Sequence, residues 1–303
     1  MDAQYFVYTR GHDIANDYKL LFSPSEDFCP SDVRRYFLIQ VRGLINLDTY
    51  VGNLEENPRW ILSKKNGYIL WGVGTMNKKI SSANNTDYAN RAVRGFFGII
   101  AKESSVSILP FDLSYFEQFY SKYIVNLWTA SKEDFKKKGV VVDNNPESCK
   151  SISAQSSNLS LNTDEAKTVL WEDSIAPEDF FASALALKGD FSCVYGLEEK
   201  SHAYNHDYRF YNVIVKGEKI KEERTYKVRV DTKREHIDQT ILNGEDPIKP
   251  KKDHRLKLMF LGTVATFIVV ALIVGRCSKN NQTNPQKSVS GDTVKTVKNI
   301  QKK

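Results

Sequence analysis

The feature that most constrains this chain is an uninterrupted apolar segment at residues 258–275. Its 18 residues, LMFLGTVATFIVVALIVG, include no charged residue and no proline. A helix rises about 1.5 Å per residue, so a helix of this length spans about 27 Å, close to the roughly 30 Å hydrocarbon core of a bilayer. A helix at the surface of a soluble core shows a polar stripe at 3.6-residue spacing, and this segment has none. The sequence therefore predicts a single C-terminal transmembrane helix over residues 258–275.

The charges that flank this segment predict its orientation. Five basic residues precede it within nine positions, namely Lys249, Lys251, Lys252, Arg255 and Lys257, whereas Arg276 alone follows it directly. The positive-inside rule places the more basic flank in the cytoplasm. Residues 1–8, MDAQYFVY, have an acid where an export signal has basic residues, so we expect no signal peptide. We therefore expect a single-pass protein of the cell membrane, with the N-terminal region in the cytoplasm and the C-terminal tail on the opposite side.

The distribution of charge also indicates which partners to expect. The chain has 43 Lys and Arg against 37 Asp and Glu, but twelve of these basic residues and only two of the acidic ones lie in residues 249–303. Residues 1–248 therefore carry a formal net charge of −4. Because a nucleic-acid-binding domain presents a basic face of its own, nucleic acid is not an expected partner. The basic flank is instead expected to lie against anionic lipid headgroups.

The chain divides into regions of different composition. Polar, Ser/Asn-rich sequence between residues 143 and 168 is typical of a linker or long loop. The predicted organisation is an N-terminal α+β cytosolic region (1–142), this polar segment (143–168), a second α+β region that may continue the first (169–233), a polar and basic juxtamembrane spacer (234–257), the transmembrane helix (258–275) and a short basic tail (276–303). The predicted fold is α+β, with a mixed, largely antiparallel sheet and packed helices.

Two local patterns indicate individual elements. Asn66-Gly67 separates two runs rich in aromatic and β-branched residues, 60–65 and 68–72, which is the signature of a two-residue β-hairpin. Apolar residues recur at helical spacing over 113–130, with Ser114 and Glu117 placed for a capping box.

Other runs predict further elements. We expect a second helix over 177–187 and strands over 5–9, 36–41, 96–101, 191–195, 208–215 and 226–230.

Candidate catalytic residues are few. His12 and Asp13 follow the first predicted strand, a place where functional side chains often lie. The neighbouring order Arg-Gly-His differs from the Arg-His-Gly of phosphohistidine enzymes, and the His-Asp phosphohydrolases are mainly helical. Neither template fits, so the two residues remain candidates without a matching mechanism.

Basic residues near the hairpin form a candidate ligand-binding group. Arg10, Lys78, Lys79, Arg91 and Arg94 could converge on a polyanion or a nucleotide, although a solvated charged surface explains the same pattern.

Metal and cofactor signals are weak. His202 and His206 are four residues apart, but they precede a predicted strand, and a zinc site takes three or four protein ligands. The four cysteines (Cys29, Cys149, Cys193 and Cys277) have no zinc or redox spacing. We expect neither a metal nor a cofactor.

Three functions are consistent with these patterns. The first is a membrane-anchored sensor, adaptor or scaffold whose cytosolic domain binds a protein or a small molecule, and we favour it over an enzyme because no catalytic template matches. The second is a membrane-tethered enzyme that acts on phosphate esters or nucleotides. The third is a signal-gated effector that perturbs the membrane, for which two pairs of small residues four apart in the span (Gly262 with Thr266, and Ala271 with Gly275) would permit self-association.

Overall fold

The computed structural model describes residues 1–46, 54, 57–143, 148–156, 159–164, 166–198, 210–216 and 224–227. The strands are β1 (Ala3–Thr9), β2 (Lys19–Ser23), β3 (Arg59–Lys65), β4 (Tyr68–Met76), β5 (Arg94–Lys102), β6 (Ile108–Pro110), β7 (Lys137–Lys138), β8 (Ser151–Ser153), β9 (Ala166–Trp171), β10 (Phe191–Leu197), β11 (Asn212–Val215) and β12 (Arg224–Lys227). The α-helices are α1 (Ser31–Asn46), α2 (Asn77–Ile80), α3 (Leu113–Phe119) and α4 (Pro177–Ala186).

Ten of these strands form one sheet, in the order β12-β9-β11-β10-β3-β4-β5-β1-β2-β7. Neighbouring strands from β10 to β2 run antiparallel, whereas β9, β11 and β10 run parallel to one another and β7 is parallel to β2. Strands β6 and β8 form a separate antiparallel pair. The protein is therefore α+β with a mixed, largely antiparallel sheet, as the sequence predicts.

Helices cover both faces of this sheet. Successive residues of a strand point to opposite faces, so Leu70 packs in the core beneath α1 while Trp71 packs in the core on the α3 and α4 side. On the α1 face, Phe37 lies in the same cluster as Leu70. On the other face, the Phe181 ring of α4 meets Trp71 edge-on, with 4.9 Å between ring centroids.

The strand predicted over 36–41 is wrong, because these residues lie within α1. Considered alone, the apolar run at 36–41 predicts a strand. Over the longer window, buried Val33, Phe37, Val41 and Leu44 recur at intervals of three and four residues and form one helical face. Helical spacing over sixteen residues thus outweighs the β-propensity of a six-residue run.

The predicted hairpin is confirmed, and β3 and β4 pair in the expected register from Lys65↔Tyr68 outward. Asn66 and Gly67 both have positive φ, 48° and 79°, as a type I′ turn requires. This turn matches the right-handed twist of the two strands that it joins.

The glycine at position 72 of β4 is explained by packing. Gly72 lies directly opposite Gly98 of β5. A Cβ added at Gly72 would lie 2.5 Å from the carbonyl oxygen of Phe97 and 2.6 Å from the ring of Phe96. The absence of a side chain therefore lets an aromatic ring and a neighbouring backbone approach the strand closely.

The helix predicted over 113–130 begins at Leu113 but stays α-helical only to Phe119. Its N-cap is Asp112, whose carboxylate accepts a hydrogen bond from the Ser114 N–H, rather than Ser114 itself. One π-helical turn (Tyr120–Ile124) and a 3₁₀ turn (Val125–Leu127) complete the segment.

The later predicted elements are also found. Helix α4 is confirmed at Pro177–Ala186, and strands β10, β11 and β12 overlap the three predicted runs. In the predicted linker, β8 and the first residues of β9 belong to the described structure. Strands on both sides of that segment join the same ten-stranded sheet.

No helix within the described residues is long and apolar enough to cross a bilayer. The predicted span at 258–275 and its basic flanks lie outside those residues, as do His202 and His206.

A buried lysine joins β3 to the helices around it. The Lys64 side chain is 3% exposed, and its ammonium donates to Glu103 and to the carbonyl oxygens of Leu185 and Leu187 at the end of α4. Carbonyls at a helix C-terminus have no partner within the helix, so Lys64 acts as its cap. Next to it, Lys65 is 32% exposed and pairs with Asp190.

We predict that Lys64→Met lowers the free energy of unfolding by about 2–4 kcal/mol, because two carbonyls and the Glu103 carboxylate lose a buried cation. The matched control is Lys65→Met, which removes the neighbouring ion pair and should cost less than about 1 kcal/mol. Urea unfolding of the full chain, followed by tryptophan fluorescence, measures both. Equal losses in the two variants would contradict the role assigned to Lys64.

Candidate functional site

The candidate site lies where four strand ends meet. Because β1 is antiparallel to both β2 and β5, and β5 is antiparallel to β4, the end of β1, the start of β2, the end of β4 and the start of β5 lie at the same end of the sheet. The loops 10–18 and 81–93 extend from this end. We call the side chains that they bring together the arginine–tyrosine cluster, which consists of Arg10, Tyr18, Asp87, Tyr88, Arg91 and Arg94.

Asp87 is the centre of this cluster. Its carboxylate is 2% exposed and lies 3.3 Å from Nη1 of Arg10 and 2.7 Å from Nη2 of Arg91. It also accepts hydrogen bonds from Nε of Arg91 and from the backbone N–H groups of Ala89 and Arg91, at 2.9–3.0 Å. Both carboxylate oxygens are thus engaged within the protein.

These contacts set the ionisation of Asp87. Burial alone raises the pKa of the carboxyl, but the hydrogen bonds from Arg91 and from the Ala89 backbone outweigh burial. The pKa of Asp87 therefore lies below its ordinary value, and the group is ionised at neutral pH.

Two arginines of the cluster face each other across adjacent strands. The pairing of β1 with β5 ends at Tyr8 and Phe96. When the same register is continued by two residues, Arg10 comes to lie opposite Arg94. The Thr9 hydroxyl donates to the carbonyl oxygen of Arg94 at 3.1 Å, which fixes this approach. Like charges directly opposite each other destabilise a strand pair, so their environment must compensate.

An aromatic ring supplies part of that compensation. The guanidinium carbons of Arg10 and Arg94 each lie 5.7 Å from the centroid of the Tyr18 ring, within cation–π range. Tyr18 in turn stacks on Tyr8, with 6.1 Å between centroids and 23° between planes. Arg94 also donates from Nη2 to the side-chain oxygen of Asn46, at 3.1 Å.

The outer rim of the cluster is exposed. Tyr88 is 50% exposed and lies 5.9 Å from the guanidinium carbons of Arg10 and of Arg91. The Arg91 side chain is 63% exposed. Ile14, in the loop after β1, is 70% exposed. Cationic and apolar groups are therefore both available to a partner at this end of the sheet.

His12 connects the two loops. Its Nδ1 lies 3.3 Å from the carbonyl oxygen of Thr86, and its own carbonyl accepts the Tyr88 N–H at 2.8 Å. The His12 N–H donates to the carbonyl oxygen of Trp128. Asp13 is exposed, and its carbonyl accepts the N–H of Asn16. These contacts hold the loops in place beside the arginine–tyrosine cluster.

A buried polar network supports the loop 81–93 from below. The Asn77 side-chain amide donates to the Tyr120 hydroxyl at 3.3 Å, and that hydroxyl donates to the carbonyl oxygen of Asn84 at 2.6 Å. Burial raises the pKa of Tyr120, so its hydroxyl keeps the proton that it donates. The π-helical turn after α3 brings Tyr120 to this position.

The structure brings together three of the five predicted ligand-binding residues, Arg10, Arg91 and Arg94. Lys78 and Lys79 lie exposed on α2, which follows β4 at the same end of the sheet. The chain sequence gives no direct sign of Tyr18 and Tyr88 as site residues. The strand order would have given such a sign, because Tyr18 immediately precedes β2 and Arg94 begins β5, and these two strand starts lie at the same end of the sheet.

No group of three or more His, Cys, Asp or Glu side chains among the described residues is placed to hold a metal ion. Comparisons with family models, with curated proteins and with solved structures found no match.

We predict that Asp87→Asn lowers the free energy of unfolding by about 1–3 kcal/mol at neutral pH, because Arg10 loses its closest counter-charge. The control is Asp17→Asn, since Asp17 is 69% exposed and lies 3.8 Å from Arg10; it should cost less than about 0.5 kcal/mol.

The pH dependence of that difference follows from the lowered pKa of Asp87. A carboxyl whose pKa is lower in the folded state stabilises the fold above its unfolded-state pKa of about 4, and the stabilisation is lost as the pH falls through the folded-state value. The difference in the free energy of unfolding between wild type and Asp87→Asn should stay constant from about pH 7 to 5 and become smaller below about pH 4. Urea titrations at a series of pH values measure it, and a gap that widens in acid would refute the assignment.

Proposed function

We propose that this protein is a membrane-anchored binding protein. A C-terminal helix holds it in the cell membrane, and the α+β domain presents the arginine–tyrosine cluster to a protein or small-molecule partner on the cytoplasmic side. The observation that carries the binding role is the exposed pairing of cationic and aromatic side chains on a rigid sheet end.

The anchor is supported by the sequence. The 18-residue segment at 258–275 is long and apolar enough to span a bilayer. The basic residues before it favour a cytoplasmic position for that flank, and each contributes about 1 kcal/mol of attraction to an anionic membrane surface.

The binding role is supported by the chemistry of the cluster. Arginine and tyrosine are enriched where proteins bind partners, because both offer a large contact area together with hydrogen-bond donors. The loops that carry them extend from a sheet packed on both faces, and binding residues commonly lie on such loops. His12, Tyr120 and Asp87 hold these loops in one arrangement, which reduces the entropy lost on binding.

We predict that the chain stays with the membrane fraction in high salt and in alkaline carbonate, as a spanning helix should. In a background with Cys149 and Cys277 replaced by Ser, a tail probe at Ser288→Cys should react with an impermeant maleimide on intact cells. A domain probe at Ser82→Cys, at an exposed position, should react only after permeabilisation. Both probes on one side, or release by carbonate, would refute the proposed anchor.

A charge-neutralisation control tests which basic residues determine the orientation of the chain in the membrane. Replacing the five basic residues of the flank (Lys249, Lys251, Lys252, Arg255 and Lys257) by Gln should make the orientation mixed or inverted. Replacing five lysines of the tail (Lys287, Lys295, Lys298, Lys302 and Lys303) by Gln should leave it unchanged. The reverse pattern would show that the flank does not determine the topology.

A further inference from the structure

The charges of the arginine–tyrosine cluster do not balance. Asp87 forms ion pairs with Arg10 and Arg91, and both of its carboxylate oxygens already have partners. Asp17 is exposed, and its carboxylate lies 3.8 Å from the guanidinium of Arg10. Among the described residues, no carboxylate lies within ion-pair distance of Arg94, whose polar partner is the neutral Asn46 amide. Three guanidinium groups thus face two carboxylates.

The environment of Arg94 makes this imbalance costly. Its Nε is buried and has no hydrogen-bond partner, as is also true of Nε of Arg10. The guanidinium carbons of both arginines lie 5.7 Å from the centroid of the same Tyr18 ring. A partly buried cation next to a like charge is stabilised by an anion that enters beside it.

We propose that the arginine–tyrosine cluster binds a phosphate group, which takes its charge-assisted hydrogen bonds from Arg94 and Arg91 and sits between Tyr18 and Tyr88. This inference deepens the proposed function and rests on it, since it names the ligand chemistry of that binding surface.

The chemistry of the donors favours phosphate over other anions. A guanidinium presents several N–H groups in a planar fork, and forks from two directions match the several acceptor oxygens of a tetrahedral phosphate. Residues 1–248 have a net charge of −4, so an extended polyanion would be repelled by the rest of the domain, whereas one phosphate meets only the local positive field.

The phosphate can come from two sources, a lipid headgroup or a small soluble phosphate. Tyr88 is exposed beside Arg10 and Arg91, and Ile14 is exposed in the loop after β1, as apolar groups that touch a membrane interface are. A soluble phosphate ester would use the same arginines. The experiment therefore contains one arm for each source.

The first arm titrates inorganic phosphate, at constant ionic strength, into the full chain reconstituted in neutral nanodiscs, and measures the heat of binding. Wild type should bind at a single saturable site. Arg94→Gln should weaken binding by about tenfold or more, as the loss of a charge-assisted hydrogen bond does. Arg94→Lys, which keeps the charge but loses the fork, should fall between the two.

Two further variants keep this arm decisive. Arg91→Gln alters a side chain that is 63% exposed, so it tests the site even if Arg94→Gln fails to fold. Lys65→Gln removes one positive charge from the distant hairpin and should leave phosphate affinity within twofold of wild type. Wild-type affinity in the Arg91→Gln variant, or no saturable binding by wild type, would overturn the proposal.

The second arm repeats the titration in nanodiscs that contain phosphatidic acid, with phosphatidylserine nanodiscs of equal charge as the control. If the headgroup fills the site, phosphatidic acid should abolish phosphate binding and phosphatidylserine should not. If the ligand is soluble, the affinity should be the same in both. Either result supports a phosphate site and assigns its source. A chain that remains in the membrane but binds no phosphate overturns this inference alone and leaves the proposed anchor in place.

Discussion

The burial of the central strands on both faces is the constraint on which the rest of the structure depends. In β4 and β5 almost every residue is buried, so neither face of the sheet can be left to water. Helix α1 covers one face, and α3 and α4 cover the other. Each apolar side chain removed from water contributes about 1.5–3 kcal/mol, so dozens of buried residues commit the chain to this arrangement.

The same constraint explains where the candidate site lies. With both faces covered, polar groups that must reach solvent or a ligand are confined to the edges and ends of the sheet. The antiparallel order of β4, β5, β1 and β2 brings four chain segments to one end. There the β1–β5 register sets Arg10 against Arg94, and Tyr18 and Asp87 offset the repulsion through ring contact and an ion pair. The site is thus a consequence of strand order as much as of residue type.

Several parts of this arrangement can be read from the sequence because the signals are local. The Asn66-Gly67 turn requires positive φ at both residues, and few other pairs tolerate it. Pro177 lies in the first turn of α4 for an equally local reason, because its fixed φ suits that position and its missing N–H has no partner to lose there. The segment 36–41 shows the limit of such reasoning. Its apolar run resembles a strand when it is considered alone, whereas the three- and four-residue spacing of Val33, Phe37 and Leu44 over a longer window indicates the helix. Arg10, Arg91 and Arg94 could be named as candidates, but their spacing does not reveal that Asp87 joins two of them.

By itself, the sequence determined the α+β class, the hairpin and its turn, helix α4, the start of α3 and an apolar segment of bilayer length, because hydrophobic periodicity and turn chemistry act between near neighbours. Only the tertiary structure decided the ten-strand order, the opposition of Gly72 and Gly98, the capping of α4 by Lys64 and the meeting of three arginines around Tyr18 and Asp87. Most of these contacts join residues tens of positions apart, as Gly72 with Gly98 and Lys64 with Leu185 do. Their partners are selected by which surfaces bury the most apolar area together, a quantity that exists only once the chain has folded.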